Sequence, residues 1–303
     1  MSPIERNFLC KGKKGDLIMG LYVVKALGGG RIFITPGEFE EPLESVIESC
    51  GRLVHAQDYV TSFEIHDGQT IDINLDDFRK SRWLYRTTLL DVICRTHQLP
   101  SPKDVKPWIN VPAHPDFAGK VVLHRRTSAV AERGNPLFDW DHLFDVVGRK
   151  NCVFVSRLKK EWEDFGHPEI DYYAPADMEE HARIIRASRL YIGNQSLPSA
   201  LADALGVNRI FELSWGIDRK HFAVRYAENA WYFASPWDCT LKNFRYLCDG
   251  KHGQFLDLAT GTSVASLEPY VFDWLKAFSN DMAYRLRLTR FGIKQQILCI
   301  ARQ

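Results

Sequence analysis

Apolar and polar residues alternate in blocks along this chain, and the blocks predict strands that alternate with helices. Short apolar or alternating runs predict strands at 7–10, 31–35, 71–75, 120–124, 152–155, 171–174, 190–192 and 209–213. Apolar residues spaced by three and four predict helices at 17–27, 42–50, 83–95, 139–147, 178–187 and 199–205. This order of elements predicts an α/β protein built on parallel sheets.

The second half of the chain contains strand–helix units in series, which is the pattern of a doubly wound domain. Because parallel strands end at one edge of their sheet, the loops that follow them are expected to converge there. These loops are polar and comprise 125–128, 156–157, 175–177 and 193–196. A proline-rich stretch, 99–115, predicts a linker between two domains. An aromatic stretch, 221–237, predicts a stacking pocket or, as the favoured interpretation, the core of a small strand-rich excursion.

Composition narrows the classes of function. The net charge of the 303-residue chain is +1, so no global field would attract nucleic acid or a membrane. The seven cysteines are scattered and lack CxxC spacing, which predicts free thiols in a reducing compartment and no zinc site. Without a secretion signal or an apolar run of about 18 residues, the chain is predicted to be cytoplasmic. The basic stretch 285–302 leaves a local contact with nucleic acid or phospholipid open.

Asp16 stands at the start of the first predicted helix, directly after a loop of lysine and glycine, 11–15. An aspartate at this position commonly caps the helix. A phosphate-binding loop is disfavoured, because the GxxxxGK[ST] pattern of nucleotide triphosphate sites is absent. The third interpretation is a carboxylate presented at the sheet edge as a general base. Position alone favours the cap.

Two features of the second half suit an anion. The loop 193–196 precedes a helix whose N-terminal N–H groups would bind a phosphate. Arg125 and Arg126 end another predicted strand, and arginine binds phosphate oxygens through two parallel hydrogen bonds. Both features have plainer interpretations, because Asn194 and Ser196 would serve as helix caps and the arginines would pair with surface carboxylates.

Two segments together resemble the signatures of glycosyltransferase family 9, the heptosyltransferase-like glycosyltransferases. The sequence GDLIMGLYVVKALGGGRIFI at 15–34 is similar to the first, and ASRLYIGNQSLPSALADALGVNRIFEL at 187–213 is similar to the second. The resemblance implies a GT-B architecture, in which two Rossmann-like, doubly wound domains face each other across a cleft. It implies an acceptor domain at 1–115, a nucleotide-sugar domain at 116–278 and a terminal helix, 279–303, that crosses back to the N-terminal domain.

The resemblance also implies a function. Members of the family transfer a sugar from a nucleotide-diphosphate sugar to a hydroxyl acceptor, with inversion and without a metal ion or other cofactor. The acceptor would be a glycan, a lipid-linked sugar or another hydroxyl compound. Asp16 matches the proposed general base, and Lys13, Lys14 and Gly15 form the acceptor-side loop. The implied donor-binding residues are Arg125, Arg126, Thr127, Ser156, Arg157, Ala176, Asn194, Gln195 and Ser196.

Three positions of the second segment depart from the family pattern. Gln195 stands where the family has aspartate, Leu197 where it has glycine and Ala200 where it has histidine, whereas Asn194 and Ser196 match. These departures imply a divergent branch with a donor other than the heptose donor. They favour one alternative, a non-catalytic nucleotide- or sugar-binding member of the fold. A second alternative, a glycosyltransferase that modifies nucleic acid, rests on the basic stretch 285–294 as a phosphate contact.

Overall fold

Two parallel sheets form the frame of the molecule. The computed structural model describes residues 5–84, 88–100, 106–126, 138, 140–212 and 230–233. Thr127 and the helix predicted at 279–303 lie outside these residues. Within them, no helix has both the length and the apolar character that crossing a membrane requires.

The first sheet is formed by the N-terminal part of the chain. Its strands are β1 (Arg6–Cys10), β2 (Gly30–Ile34), β3 (Val60–Ile65) and β4 (Ile73–Asn74). The accompanying helices are α1 (Lys14–Ala26), α2 (Leu43–His55) and α3 (Leu89–Thr96), and a 3-10 turn at Leu75–Lys80 follows β4. The strand order is β3-β2-β1-β4 with parallel pairing throughout. Because β1 and β4 are neighbours, the segments that follow them leave the sheet side by side.

The second sheet has six parallel strands in the order β10-β9-β8-β5-β6-β7. In chain order these are β5 (Val121–His124), β6 (Cys152–Val155), β7 (Asp171–Tyr173), β8 (Leu190–Asn194), β9 (Arg209–Glu212) and β10 (Ala230–Phe233). The helices are α4 (Trp140–Val147), α5 (Lys159–Phe165), α6 (Met178–Ala187) and α7 (Leu197–Leu205). The chain builds outward from β5 in one direction, and then from β8 in the other. Such a reversal leaves a crevice between β5 and β8, where ligands bind in open α/β sheets.

Several predicted elements are confirmed, and others differ for local reasons. The strand at 152–155 and the helix at 178–187 have the predicted bounds. The helix predicted to begin at residue 83 begins at Leu89, because the Thr88 side chain accepts a hydrogen bond from the N–H of Asp91 and caps it. The strand predicted at 71–75 is shorter, since β1 pairs with β4 only at Phe8 and Leu9.

Two further predictions are corrected by the second sheet. The aromatic stretch 221–237 was expected to form a separate strand-rich excursion, but its described residues, 230–233, form β10 and pair with β9 of the main sheet. Helix α5 was not predicted at all. Its sequence, KKEWEDF, offers too few apolar residues to establish a helical period.

The two sheets are joined through a shared layer of helices. Helix α1 packs against α7, and α2 packs against α6. Buried side chains from both halves, among them Leu17 and Leu201, belong to one continuous core. The predicted linker carries the buried Trp108, whose Nε1 donates to the Ile18 carbonyl at 2.8 Å and whose backbone N–H donates to the Ala204 carbonyl at 3.0 Å. The linker is therefore bonded to α1 and to α7.

Candidate functional site

Asp16 lies in the first turn of α1, at the edge of the first sheet where β1 ends. Its Oδ2 accepts a hydrogen bond from the Lys13 N–H at 2.9 Å, so the carboxylate does cap its own helix. Capping does not account for all of its contacts, because the same oxygen accepts a hydrogen bond from Arg79. The Asp16 side chain is 17% exposed, which leaves it within reach of a ligand.

The loop before Asp16 is held by a second carboxylate, Asp76, from the 3-10 turn after β4. Asp76 is buried, and its Oδ2 accepts from the N–H groups of Lys11 at 2.6 Å and Gly12 at 3.1 Å. Only glycine fits at position 12, since a Cβ there would lie 2.3 Å from Asp76 Oδ1 and 2.9 Å from Asp16 Oδ2. Asp76 therefore fixes the backbone that presents Asp16.

The pKa of Asp16 is raised above its usual value. Burial is the largest cause, and the negative charge of Asp76 acts in the same direction, whereas the Arg79 guanidinium opposes both. Arg79 also forms ion pairs with Glu38 at 2.9 Å and with Asp76 at 3.5 Å, so its charge is shared among three carboxylates. A carboxylate with a raised pKa at a sheet edge has the properties of a general base.

The two lysines of the predicted acceptor-side loop form ion pairs with glutamates. Lys13 forms an ion pair with Glu40 at 2.8 Å. Lys14 forms an ion pair with Glu41, and its Nζ lies 2.8 Å from Ser49 Oγ. All of these partners precede α2 or belong to it, so the two lysines connect the Asp16 loop to that helix.

Gly15 brings the Asp16 loop to the second sheet. A Cβ built on Gly15 would lie 4.0 Å from the Leu197 Cα, in the first turn of α7. The loop after β1 and the loop after β8 therefore adjoin. The predicted base and the predicted donor loop, far apart in sequence, belong to one composite surface.

At the second sheet, Arg125 and Arg126 follow β5 but have different partners. Arg125 donates two hydrogen bonds to Glu212, at 2.7 and 3.0 Å, and Glu212 is fully buried at the end of β9. The backbone N–H of Arg126 donates to Asn194 Oδ1 at 2.9 Å, which ties the ends of β5 and β8 together. The Arg126 side chain lies 3.5 Å from Glu40, in the first half of the chain.

The other predicted donor residues follow the strands of the same sheet. Ser196 precedes α7, and its N–H donates to Ser199 Oγ at 2.9 Å, while Gln195 beside it is half-buried. Ser156 is buried and donates to Glu161 at 2.6 Å. Arg157 and Ala176 are exposed after β6 and β7, and the N–H of Ala176 donates to Glu180 at 2.6 Å. The roles of these residues remain predictions.

Three residues at the Asp16 end of the site were missed from the sequence: Asp76, Arg79 and Glu40. Asp76 and Arg79 directly follow a predicted strand, and that position was the available signal. What the sequence lacks is the pairing of β4 with β1, which brings this segment beside Asp16. Among the described residues, no group of three histidine, cysteine or acidic side chains is arranged to hold a metal ion.

Comparison with solved structures identifies the fold. A glycosyl transferase family 9 structure from Veillonella parvula aligns with 78% of this chain and 87% of its own, with a TM-score of 0.53 and 12% identity. The E. coli heptosyltransferase WaaC with ADP aligns over 81% and 97%, with a TM-score of 0.52 and 11% identity. The iron-containing dodecameric glycosyltransferase TibC from enterotoxigenic E. coli aligns with 75% of this chain and 62% of its own, with a TM-score of 0.52 and 13% identity.

No family model matches the sequence, and no curated protein matches it. At identities of 11–13%, the structural likeness shows the fold and not the reaction. The two parallel sheets with their helices have the GT-B architecture of these glycosyltransferases, as the sequence resemblance implied.

Proposed function

We propose that this chain is an inverting, metal-independent glycosyltransferase that moves a sugar from a nucleotide-diphosphate sugar to a hydroxyl acceptor. The observation that carries the proposal is the contact between the Asp16 loop and the start of α7, where Gly15 adjoins Leu197. A carboxylate from one sheet and a helix N-terminus from the other thereby flank the same crevice. The ADP in a WaaC structure of similar fold supports a nucleotide donor.

In this proposal Asp16 is the general base. An inverting displacement needs a group that accepts the proton of the acceptor hydroxyl as its oxygen attacks the anomeric carbon. The raised pKa makes the Asp16 carboxylate a better proton acceptor than an exposed aspartate. Arg79 contacts the Oδ2 of Asp16, so we infer that the acceptor hydroxyl approaches the other oxygen, Oδ1.

The departing diphosphate would be stabilised from the opposite side of the crevice. Helix α7 begins at the switch point between β5 and β8, and the positive end of its dipole suits an anion. Pro198 has no N–H and the Ser199 N–H is bound by the Ser196 side chain, so the Leu197 N–H would be the backbone donor of this first turn. Arg126 would add positive charge by exchanging the exposed Glu40 for a phosphate. Arg125 is already bound to Glu212, so its role would be to order the loop.

Binding and transfer measurements test the proposal separately. We expect at least one of ADP, UDP, GDP or CDP to raise the melting temperature. With the matching sugar nucleotide, Asp16→Asn should reduce turnover by about 10²–10⁴-fold and leave nucleotide binding intact. Asp67→Asn, in an exposed turn, is the matched control and should retain activity. EDTA should leave the rate unchanged. Absence of any nucleotide binding would contradict the donor site, and full turnover by Asp16→Asn would contradict the base.

A non-catalytic nucleotide- or sugar-binding member is the second candidate. It is favoured by the engagement of Asp16 with Arg79 and by Gln195 in place of the family aspartate. This candidate predicts that a sugar nucleotide binds but is neither transferred nor hydrolysed by the wild-type chain. Slow hydrolysis of the donor that disappears in Asp16→Asn would exclude it.

A further inference from the structure

A buried chain of serine, histidine and glutamate adjoins the start of α7. His124 is the last residue of β5, and its Nε2 lies 3.2 Å from Glu161 Oε2. Its Nδ1 lies 3.3 Å from Ser196 Oγ. Glu161, His124 and Ser196 are 7%, 4% and 9% exposed. Because the three residues come from α5, β5 and the loop before α7, the fold itself brings them together at the crevice between β5 and β8.

Burial of the Glu161 carboxylate has an unfavourable free energy. A carboxylate taken out of water is destabilising unless it is hydrogen-bonded and paired with positive charge. Burial acts to raise the pKa of Glu161, but hydrogen bonds from His124 and Ser156, together with the charge of His124, lower it overall. The carboxylate therefore stays ionised. An apolar side chain would fill this space at lower cost, so packing alone does not explain a glutamate here.

Contacts with Glu161 and Phe154 fix the position of the His124 ring. Glu161 accepts a hydrogen bond from Nε2–H, and the ring stacks on Phe154 with a centroid separation of 6.0 Å and an interplanar angle of 20°. The other ring nitrogen, Nδ1, faces the hydroxyl of Ser196. The ring thus links the buried Glu161 to the start of α7.

Of the three buried residues, Ser196 is the one whose side chain lies at the crevice between β5 and β8. Its oxygen also lies 3.1 Å from the Asn194 carbonyl, to which it donates. A hydroxyl has one proton and two acceptor lone pairs. The hydroxyl can turn its single proton from the Asn194 carbonyl to an arriving phosphate oxygen, and the His124 ring beside it helps to fix the position of the oxygen.

We propose that Glu161 and His124 are positioning residues of the donor site. Glu161 orients the His124 ring, and the ring holds the Ser196 hydroxyl at the start of α7, where it meets a donor phosphate. The inference rests on the proposed function, because it requires the diphosphate to bind at the start of α7. It adds two residues that act through a third and do not touch the ligand.

A double-mutant cycle tests the proposal, with ADP, UDP, GDP and CDP as probes in titration calorimetry. We expect Ser196→Ala to raise the Kd of the nucleotide that binds best about tenfold, which corresponds to the loss of one hydrogen bond to a charged group. His124→Asn should raise this Kd to a similar extent. The Kd of the double variant should be no higher than that of Ser196→Ala alone, because the histidine acts only through the serine. A histidine that merely supports the fold would give additive losses.

Matched variants keep the test decisive. His167→Asn removes a histidine that is paired with Glu169 at 3.5 Å outside the crevice, and it should bind like the wild type. If His124→Asn does not fold, Glu161→Gln carries the same cycle with Ser196→Ala. Wild-type affinity in His124→Asn, or additive losses, would overturn this inference and leave the proposed function standing. Failure of the wild-type chain to bind any of the four nucleotides would instead overturn the donor site, and this inference with it.

Discussion

The raised pKa of Asp16 gives the proposed transfer a defined pH dependence. As the proposed base, Asp16 would act only when deprotonated, so kcat/KM should fall as the pH drops through its pKa, which lies above the value of about 3.9 for free aspartate. Burial is the main cause of the shift, and Asp76 adds to it. Asp76→Asn should therefore move the acidic limb to lower pH, while the amide oxygen still accepts from the Lys11 and Gly12 N–H groups.

The pH–rate profile of three proteins checks this prediction. Asp77→Asn is the matched control. This substitution removes the same charge from the same turn, but Asp77 forms its ion pair with Lys80. Its profile should coincide with that of the wild type. An acidic limb that stays in place in Asp76→Asn would show that the charge of Asp76 does not contribute to the raised pKa of Asp16.

The same pKa shift predicts a stability change of known sign. A carboxylate whose pKa is raised by folding contributes stability at low pH, and this contribution is lost as the pH rises through the folded pKa. At pH 7 the ionised Asp16 carboxylate therefore lowers the free energy of unfolding. Asp16→Asn should melt above the wild type at pH 7, and the difference should vanish below the unfolded pKa. A lower melting temperature at pH 7 would mean that the ion pair with Arg79 outweighs burial.

At the residue scale, the sequence predicts individual groups better than their partners. The position of Asp16 before a helix is a local feature, and both the cap and the base interpretation could be drawn from it. Its partners Arg79 and Asp76 are distant in sequence and arrive only through the pairing of Phe8 with Ile73. Arg125 shows the same limit. The sequence left a phosphate and a carboxylate open as partners of Arg125, and its side chain donates two hydrogen bonds to the buried Glu212.

At the scale of elements, an ion pair joins α7 to β9 in the core. Asp203 and Arg209 are both fully buried, 2.5 Å apart, and Arg209 also donates to the Val207 carbonyl at 2.8 Å. Replacing one partner leaves the other charge buried and uncompensated. Arg209→Met should lower the free energy of unfolding by about 3–5 kcal/mol, measured by urea titration. Asp203→Asn in the same chain should restore part of the loss, and no recovery would contradict this account.

Elements were predictable where their signals are local. Helix α6 was predicted to the residue because Asp177 caps it, with its Oδ1 accepting from the Glu180 N–H at 2.8 Å. Helix α5 has no such signal, and its Glu161 contacts His124 of β5, which is distant in sequence. Strand β10 was assigned to a separate unit, since nothing in its own residues specifies pairing with β9.

At the scale of the molecule, the order of strands and helices was enough to predict two α/β units, but not how they join. The sequence presents 99–115 as a linker because prolines interrupt every period. Its buried residues Trp108 and Ile109 have the opposite role, since they lie in the core that α1 and α7 share. Amphipathic helices reveal that a face is buried without revealing what covers it.

The shared core predicts that the two halves unfold together. Trp108 contacts the Tyr22 ring edge-on at 5.6 Å, and its carbonyl accepts from the Tyr59 hydroxyl at 2.6 Å, in addition to its bonds to α1 and α7. Trp108→Ala should therefore lower the free energy of unfolding by about 3–5 kcal/mol. Trp108→Phe loses the indole hydrogen bond and part of the buried ring, so it should lower the free energy of unfolding by less than Trp108→Ala does.

Thiol labelling in urea distinguishes a joint transition from two separate ones. Cys50 is buried in α2 of the first half, and Cys152 is buried in β6 of the second. If the core is one cooperative unit, both thiols should become reactive at the same urea concentration in the wild type. In Trp108→Ala both midpoints should fall together, because the tryptophan is bonded to both halves. Exposure of one thiol well before the other in the wild type would show instead that each sheet carries its own stability.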